Sequence, residues 1–391
     1  MKQLSKMMLA AVASVALAAP AFAWDFGASG SSSAKWMTET TNSGVEGAKA
    51  ITSANFSSSS GGVTVSSSNS EGPNSATFSY TADWNGDAGN FDEYVTVSGS
   101  KKVGNWTASS STSQYMQKDV TAGAQPQTAG GTAAITLTDG SITYKLGDAA
   151  HLSTAEKTSG GPMSGAVDAE ARVDSFNGFS VGLGVGPGTL TVAIDEGHGV
   201  AATALGDQSL AVACGANTMS FGVNFAGDVG ADLSFTYGSG SATADALGCT
   251  GDNSGDGATA NTMGLGVAVP LGGMSLALDY ESSGTTNTAA SVETATSQSG
   301  FEVSFTMPLS DATLGLNVSA HANETSVASV VTVLGAAAGT ELWYSVPIGP
   351  VSLAVGYGSS AAAAGCATCT AGTTVVSAVT TQMGAEMSMS F

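Results

Sequence analysis

The chain has 391 residues, of which 42% are hydrophobic and only 10% charged, with 52 glycines and a formal charge of −21. A soluble protein of this size carries about 25% charged residues, and no run outside the N-terminus approaches the roughly 18 consecutive apolar residues of a membrane helix, so any membrane crossing must be made by strands. Arg172 is the only Arg and no Lys or Arg follows it, while 17 acids do; with so few bases to neutralise phosphate, no nucleic-acid partner is expected.

In chain order, residues 1–23 read as a cleaved signal peptide. Lys2 and Lys6 precede an apolar run from Met7 to Ala19, Pro20 breaks it, and Ala21-Phe22-Ala23 supplies an A-x-A cleavage site. Loss of Lys2 and Lys6 takes the formal charge from −21 to −23. Residues 24–391 then form one domain. Trp24 to Trp36 predicts a first strand. Val63 and Val65 run to a turn at Glu71-Gly72-Pro73-Asn74, and Phe78, Tyr80, Ala82 and Trp84 return from it. Tyr94 to Gly99 and Trp106 to Ser110 flank a turn at Lys101 to Gly104. Asp139-Gly140 joins Ile135 and Leu137 to Ile142, Tyr144 and Leu146, a strong hairpin signal.

From Phe176 a unit of about 40 residues repeats: alternating strand, short turn, alternating strand, long polar loop. Phe179, Val181, Leu183 and Val185 turn at Gly186-Pro187-Gly188 into Leu190, Val192 and Ile194. Met219 to Phe225 turn at Gly227-Asp228 into Leu233, Phe235 and Tyr237. Later hairpins turn at Pro270 to Gly273, at Pro308 to Asp311 and at Pro347 to Pro350. The strands are predicted at about nine to eleven residues, with turns of two to five and loops of about twenty, the signature of periplasmic turns and extracellular loops. Hydrocarbon leaves no unpaired backbone group, so such a sheet must close. The expected fold is all-β, a transmembrane antiparallel β-barrel of 18 strands, or 16 if one of the serine-rich N-terminal hairpins belongs to a loop.

The last residues alternate Met383, Ala385, Met387 and Met389 with Gly384, Glu386, Ser388 and Ser390 and finish at Phe391. This resembles the closing strand of Gram-negative outer-membrane barrels. A second resemblance is more specific. Ala134 to Asp148, a polar loop, and Asp174-Ser175-Phe176-Asn177-Gly178-Phe179-Ser180-Val181 are similar to the trimeric general porins, whose third loop folds into the barrel and narrows the pore. The resemblance implies an inward loop over 149–168, with Asp148, His151, Glu156, Lys157, Asp168 and Glu170 as constriction residues and Lys145 and Arg172 as the nearest bases. It also implies a homotrimer in the outer membrane of a Gram-negative bacterium. The family's clustered arginines are absent, so the transverse field should be weak and the pore simply negative.

Other candidate sites carry less. Cys214, Cys249, Cys366 and Cys369 all fall in expected loops of an exported chain, and Cys214–Cys249 with Cys366–Cys369 is the simplest of three pairings. His151, His198 and His321 share no ligand spacing and read as solvated residues, with no metal site or cofactor expected. Asp252 to Gly257 resembles the start of a calcium loop, but Met263 stands where the bidentate Glu belongs, leaving at most weak Ca2+ binding. No nucleophile, base and orienting acid assemble, so catalysis is not expected. Trp24, Trp36, Trp84, Trp106 and Trp343 suggest aromatic girdles. Asp232, Asp279, Glu302 and Glu341 alternate with lipid-facing residues and should line the lumen. The pattern therefore points to a passive, cation-preferring channel for small hydrophilic solutes, bounded by outer-membrane lipid. The alternative is a surface structural or adhesive barrel without an open pore.

Overall fold

A computed structural model describes residues 25–42, 49–85, 90–117, 132–152, 156–158, 160–161, 176–203, 209–244, 257–289, 292–327, 330–362 and 378–391. They form eighteen strands: β1 (Asp25–Asn42), β2 (Ile51–Glu71), β3 (Asn74–Asn85), β4 (Asn90–Val103), β5 (Trp106–Gln117), β6 (Thr132–Thr138), β7 (Ile142–Ala149), β8 (Phe176–Val185), β9 (Gly188–Thr203), β10 (Ser209–Asp228), β11 (Asp232–Ala244), β12 (Gly257–Leu271), β13 (Met274–Ala289), β14 (Val292–Leu309), β15 (Ala312–Val327), β16 (Val330–Ile348), β17 (Val351–Ala362) and β18 (Ala378–Ser390). Each pairs with its neighbours in sequence, and β1 pairs with both β2 and β18, so the order returns to its start. The fold class is an 18-stranded antiparallel β-barrel, as the alternation predicts. Among the described residues no helix is long and apolar enough to cross a membrane.

Two compact units divide the chain. The first holds Met1–Ser32, Ser59–Asp139 and Ser390–Phe391; the second holds Ser33–Ser58 and Gly140–Met389. In the first, β2 to β6 form consecutive antiparallel pairs, and Gly30 and Phe391 exchange backbone hydrogen bonds of 2.8 and 2.9 Å. In the second, the Thr38 hydroxyl donates to the Met383 carbonyl at 3.1 Å and the Gln382 amide to Glu39 at 2.9 Å, tying β1 to β18.

The second unit is inside out relative to a soluble protein. Leu278 is 40% exposed while the next residue, Asp279, is 2% exposed. The same alternation sets exposed Phe235, Phe301, Leu316, Val318 and Leu342 against buried Ser234, Thr236, Glu302, Asn317, Ser319 and Glu341. Burial of charged and amide side chains beneath an exposed apolar face has no rationale in water and the expected one in hydrocarbon. Phe221 and Tyr237 add a tilted ring pair on the outer face, with centroids 6.0 Å apart.

Three expectations need correction. The strands are longer than nine to eleven residues: β10 has 20, β14 has 18 and β16 has 19. Much of what reads as long polar loop is a continuing ladder, for example Ser283↔Gln298 through Ala289↔Val292. Beyond hydrocarbon both faces are polar, so the apolar alternation stops while the backbone pairing does not. For the same reason the first strand runs on past Trp36 to Asn42.

Turn positions shift as well. Gly227 and Asp228 lie in β10, and Pro270, Pro308 and Pro347 are paired near strand ends with Ser275, Thr313 and Ser352. The reversals that follow carry left-handed residues, among them Gly72, Gly104, Gly140, Gly186, Gly230, Gly272 and Gly349; at the 310–311 turn a side chain bears that conformation instead, Ser310 with φ 59°. Lastly, Trp343 is not in an outer girdle. It shares the inward parity of Glu341, opposite to exposed Leu342 and Tyr344, and its indole lies against Gly315 on β15.

Candidate functional site: a chain segment laid on an acidic wall

The site lies wholly within the second unit, where the chain leaving β7 meets the inner face of β11, β13 and β16. Its root is braced by two of the residues that the porin resemblance assigns to the constriction. The Lys145 ammonium donates to the Ala150 carbonyl at 2.7 Å. The His151 ring is buried, with Nδ1 2.9 Å from the Ser180 hydroxyl and Nε2 2.8 Å from the Gly147 carbonyl. Gly147 has φ 113°, a conformation that L side chains rarely adopt, and its carbonyl faces the ring. Asp148 keeps its strand register opposite Asn177.

Farther on, the segment is held by carboxylates of the wall. Asp279 accepts the Lys157 N–H on both oxygens, at 2.8 and 2.9 Å, and the Thr158 N–H on Oδ2 at 2.6 Å. Two successive amides aimed at one carboxylate form a small anion-binding concavity, here closed on the protein's own side chain. The Lys157 ammonium pairs with Asp232 at 3.0 Å. Gly161 N–H donates to Glu341 Oε2 at 3.1 Å. A Cβ at Gly161 would overlap the Trp343 indole and the Glu341 carboxylate, and one at Gly315 would overlap other atoms of the same indole. Trp343 therefore packs against two glycines, one on the segment and one on the neighbouring strand.

The wall acids thus do something other than face open solvent. Asp279 and Glu341 are spent on backbone amides, and Asp232, 57% exposed at its side chain, is matched by Lys157. Asp279 and Glu302 are directly opposed across β13 and β14. Of the other expected constriction residues, Glu156 is exposed, and Asp168, Glu170 and Arg172 lie outside the described residues. So do residues 1–24, Cys249, Cys366, Cys369 and most of the calcium-like loop. His321 departs from its reading as a solvated residue: it pairs with Glu281, and the two side chains are 12% and 8% exposed.

No family model matches the chain, and no curated protein does. Solved structures do. The outer membrane channel DcaP of Acinetobacter baumannii aligns with a TM-score of 0.50 at 10% identity, over 94% of this chain and 97% of that one. The fold is the porin-type barrel. The anion-selective porin of Comamonas acidovorans aligns with a TM-score of 0.45 at 13% identity, over 94% and 100%. The trimer form of OmpT from Vibrio cholerae gives 0.43 at 11%, again over 94% and 100%. At 10% identity what the DcaP channel shares with this chain is the backbone plan of the barrel.

Parity alone could have placed Asp279, Glu302, Glu341 and Trp343 on the inner face. What it could not supply is the partner, because the groups that bind Asp279 and Glu341 are backbone amides with no residue-type signature.

Proposed function

We propose that this chain forms a water-filled channel in the outer membrane of a Gram-negative bacterium, passing small hydrophilic solutes by diffusion and favouring cations, with three copies assembling as the porin resemblance implies. The observation that carries this reading is the inverted burial of the second unit, acids and hydroxyls inward and Leu, Val and Phe outward. The fold likeness to an outer-membrane channel supports it. The 156–161 segment on the inner wall gives the conduit a narrow place, and the excess of acids after Arg172 lowers the barrier for cations and raises it for anions.

The test is the zero-current potential of purified mature protein in a planar bilayer under a KCl gradient. Stepwise conductance with potassium preferred is the expected result. Chloride preference would overturn the selectivity and leave the channel standing. Folded barrels without conductance would overturn the channel and favour a surface structural protein.

A further inference from the structure

His321, Glu281 and Gln298 come from three adjacent strands, β15, β13 and β14, and meet at one point on the inner face of the second unit. The register explains how. Glu281 is opposite Gly300, and Gly300 is opposite His321, so the strand between them presents no side chain in that row. A Cβ at Gly300 would strike the imidazole. The gap lets His321 Nε2 reach Glu281 Oε1 across an intervening strand. Gln298 enters from the next row, where it is opposite Ser283; its terminal amide is 3.1 Å from Glu281 Oε1 and 3.3 Å from His321 Nε2.

We infer that this trio is a binding station for a divalent transition-metal ion such as Zn2+, Ni2+ or Cu2+. A ring nitrogen, a carboxylate oxygen and an amide whose two ends interchange by a half-turn all converge on one small volume. With the amide oxygen turned inward, three lone pairs point there and no proton is needed. Imidazole nitrogen beside oxygen donors selects borderline ions over Ca2+ and Mg2+, which take oxygen alone.

Among the described residues no group of three or more His, Cys, Asp and Glu gathers as a metal site. The station has two side chains of those types and one amide, so water completes the shell and binding is exchangeable rather than permanent. The neighbouring row on the same face carries Asp279 and Glu302, and their charge concentrates dications near the trio. A His–Glu ion pair needs the Gly300 gap but would not need Gln298 in the same place.

The experiment uses folded, full-length mature protein in detergent, titrated calorimetrically with Zn2+ alone and read in parallel by the Cu2+ electron paramagnetic spectrum. Saturable uptake of one Zn2+ and a Cu2+ signal with one nitrogen ligand are expected. His321→Gln should weaken uptake at least tenfold and remove the nitrogen coupling, and Glu281→Gln should also weaken it. If His321→Gln fails to fold, Gln298→Leu leaves the pair in place and should weaken uptake severalfold. Equal uptake by wild type and variants would overturn the assignment, as would folded wild-type protein that takes up no Zn2+. The readout is binding, so a barrel that bound metal but did not conduct would refute the channel and leave the station, and the reverse result would do the opposite.

Discussion

The two units treat their inner faces differently. In the first, hydroxyls pair across strands: Thr64 with Thr81 at 2.9 Å, Thr96 with Ser113 at 2.7 Å and Ser75 with Ser100 at 2.8 Å. Of these only Thr81 is buried. In the second, Asp279, Glu281, Glu302 and Glu341 are all buried, and Asp279 and Glu341 hold the 156–161 segment. Hydroxyls on neighbouring strands can satisfy one another, whereas a wall that receives a chain segment needs acceptors for its amides and glycines where it approaches closely. Acids are strong acceptors, since hydrogen bonds to an ionised group contribute roughly twice as much as neutral ones.

Four tests, two of them with a paired substitution, sharpen this contrast. The largest effect is expected at the outer face. Leu316→Arg, about halfway up the apolar band, should cost about 3 kcal/mol of folding free energy, while Thr96→Arg on the inner face of the first unit should cost far less. Urea midpoints of the refolded variants check this, and equal losses would refute the assignment of faces. Next, Asp279→Ala strands the Lys157 and Thr158 amides and should cost about 2 kcal/mol while raising single-channel conductance as the segment loosens. Unchanged conductance would mean that the segment does not narrow the path. Gly161→Val should cost about 1–3 kcal/mol through overlap with Trp343 and Glu341, and Trp343→Ala in the same chain should recover part of the loss. Smallest is Ser310→Gly. Relief of the left-handed conformation should outweigh the added freedom of the unfolded chain and stabilise by about 0.5–1 kcal/mol, seen as a higher thermal midpoint.

The same contrast explains what the sequence made legible. Between β8 and β18 the outer face carries a run of three or four Leu, Val, Ile, Phe, Tyr or Met in most strands, so period two stands out and the strand count can be read directly. In β5 the outward positions include Ser110, Thr112 and Gln114 beside inward Ser109, Ser111 and Ser113, and polar residues on both faces erase the signal. Strand ends were misread for that reason too, because pairing continues where the hydrophobic contrast has ended.

Half of the Glu281–His321 juxtaposition was legible in the sequence. The turn at Ser310 and Asp311 fixes the register that puts Gly300 opposite His321, while the pairing of Glu281 with Gly300 depends on the β13–β14 ladder, which the sequence presents as a long polar loop. The contact of Gly161 with Trp343 was not legible, since a loop glycine carries no parity.

The length of the strands has a consequence for what an outside agent would touch. Eighteen residues of β14 at about 3.4 Å each, tilted about 40°, rise roughly 45 Å, against an apolar band of about 25 Å. About 20 Å of hydrogen-bonded sheet then stands clear of the lipid. A reagent reaching the Ala289–Val292 end of β13 and β14 would meet paired strand rather than free loop, because the ladder runs to that last pair.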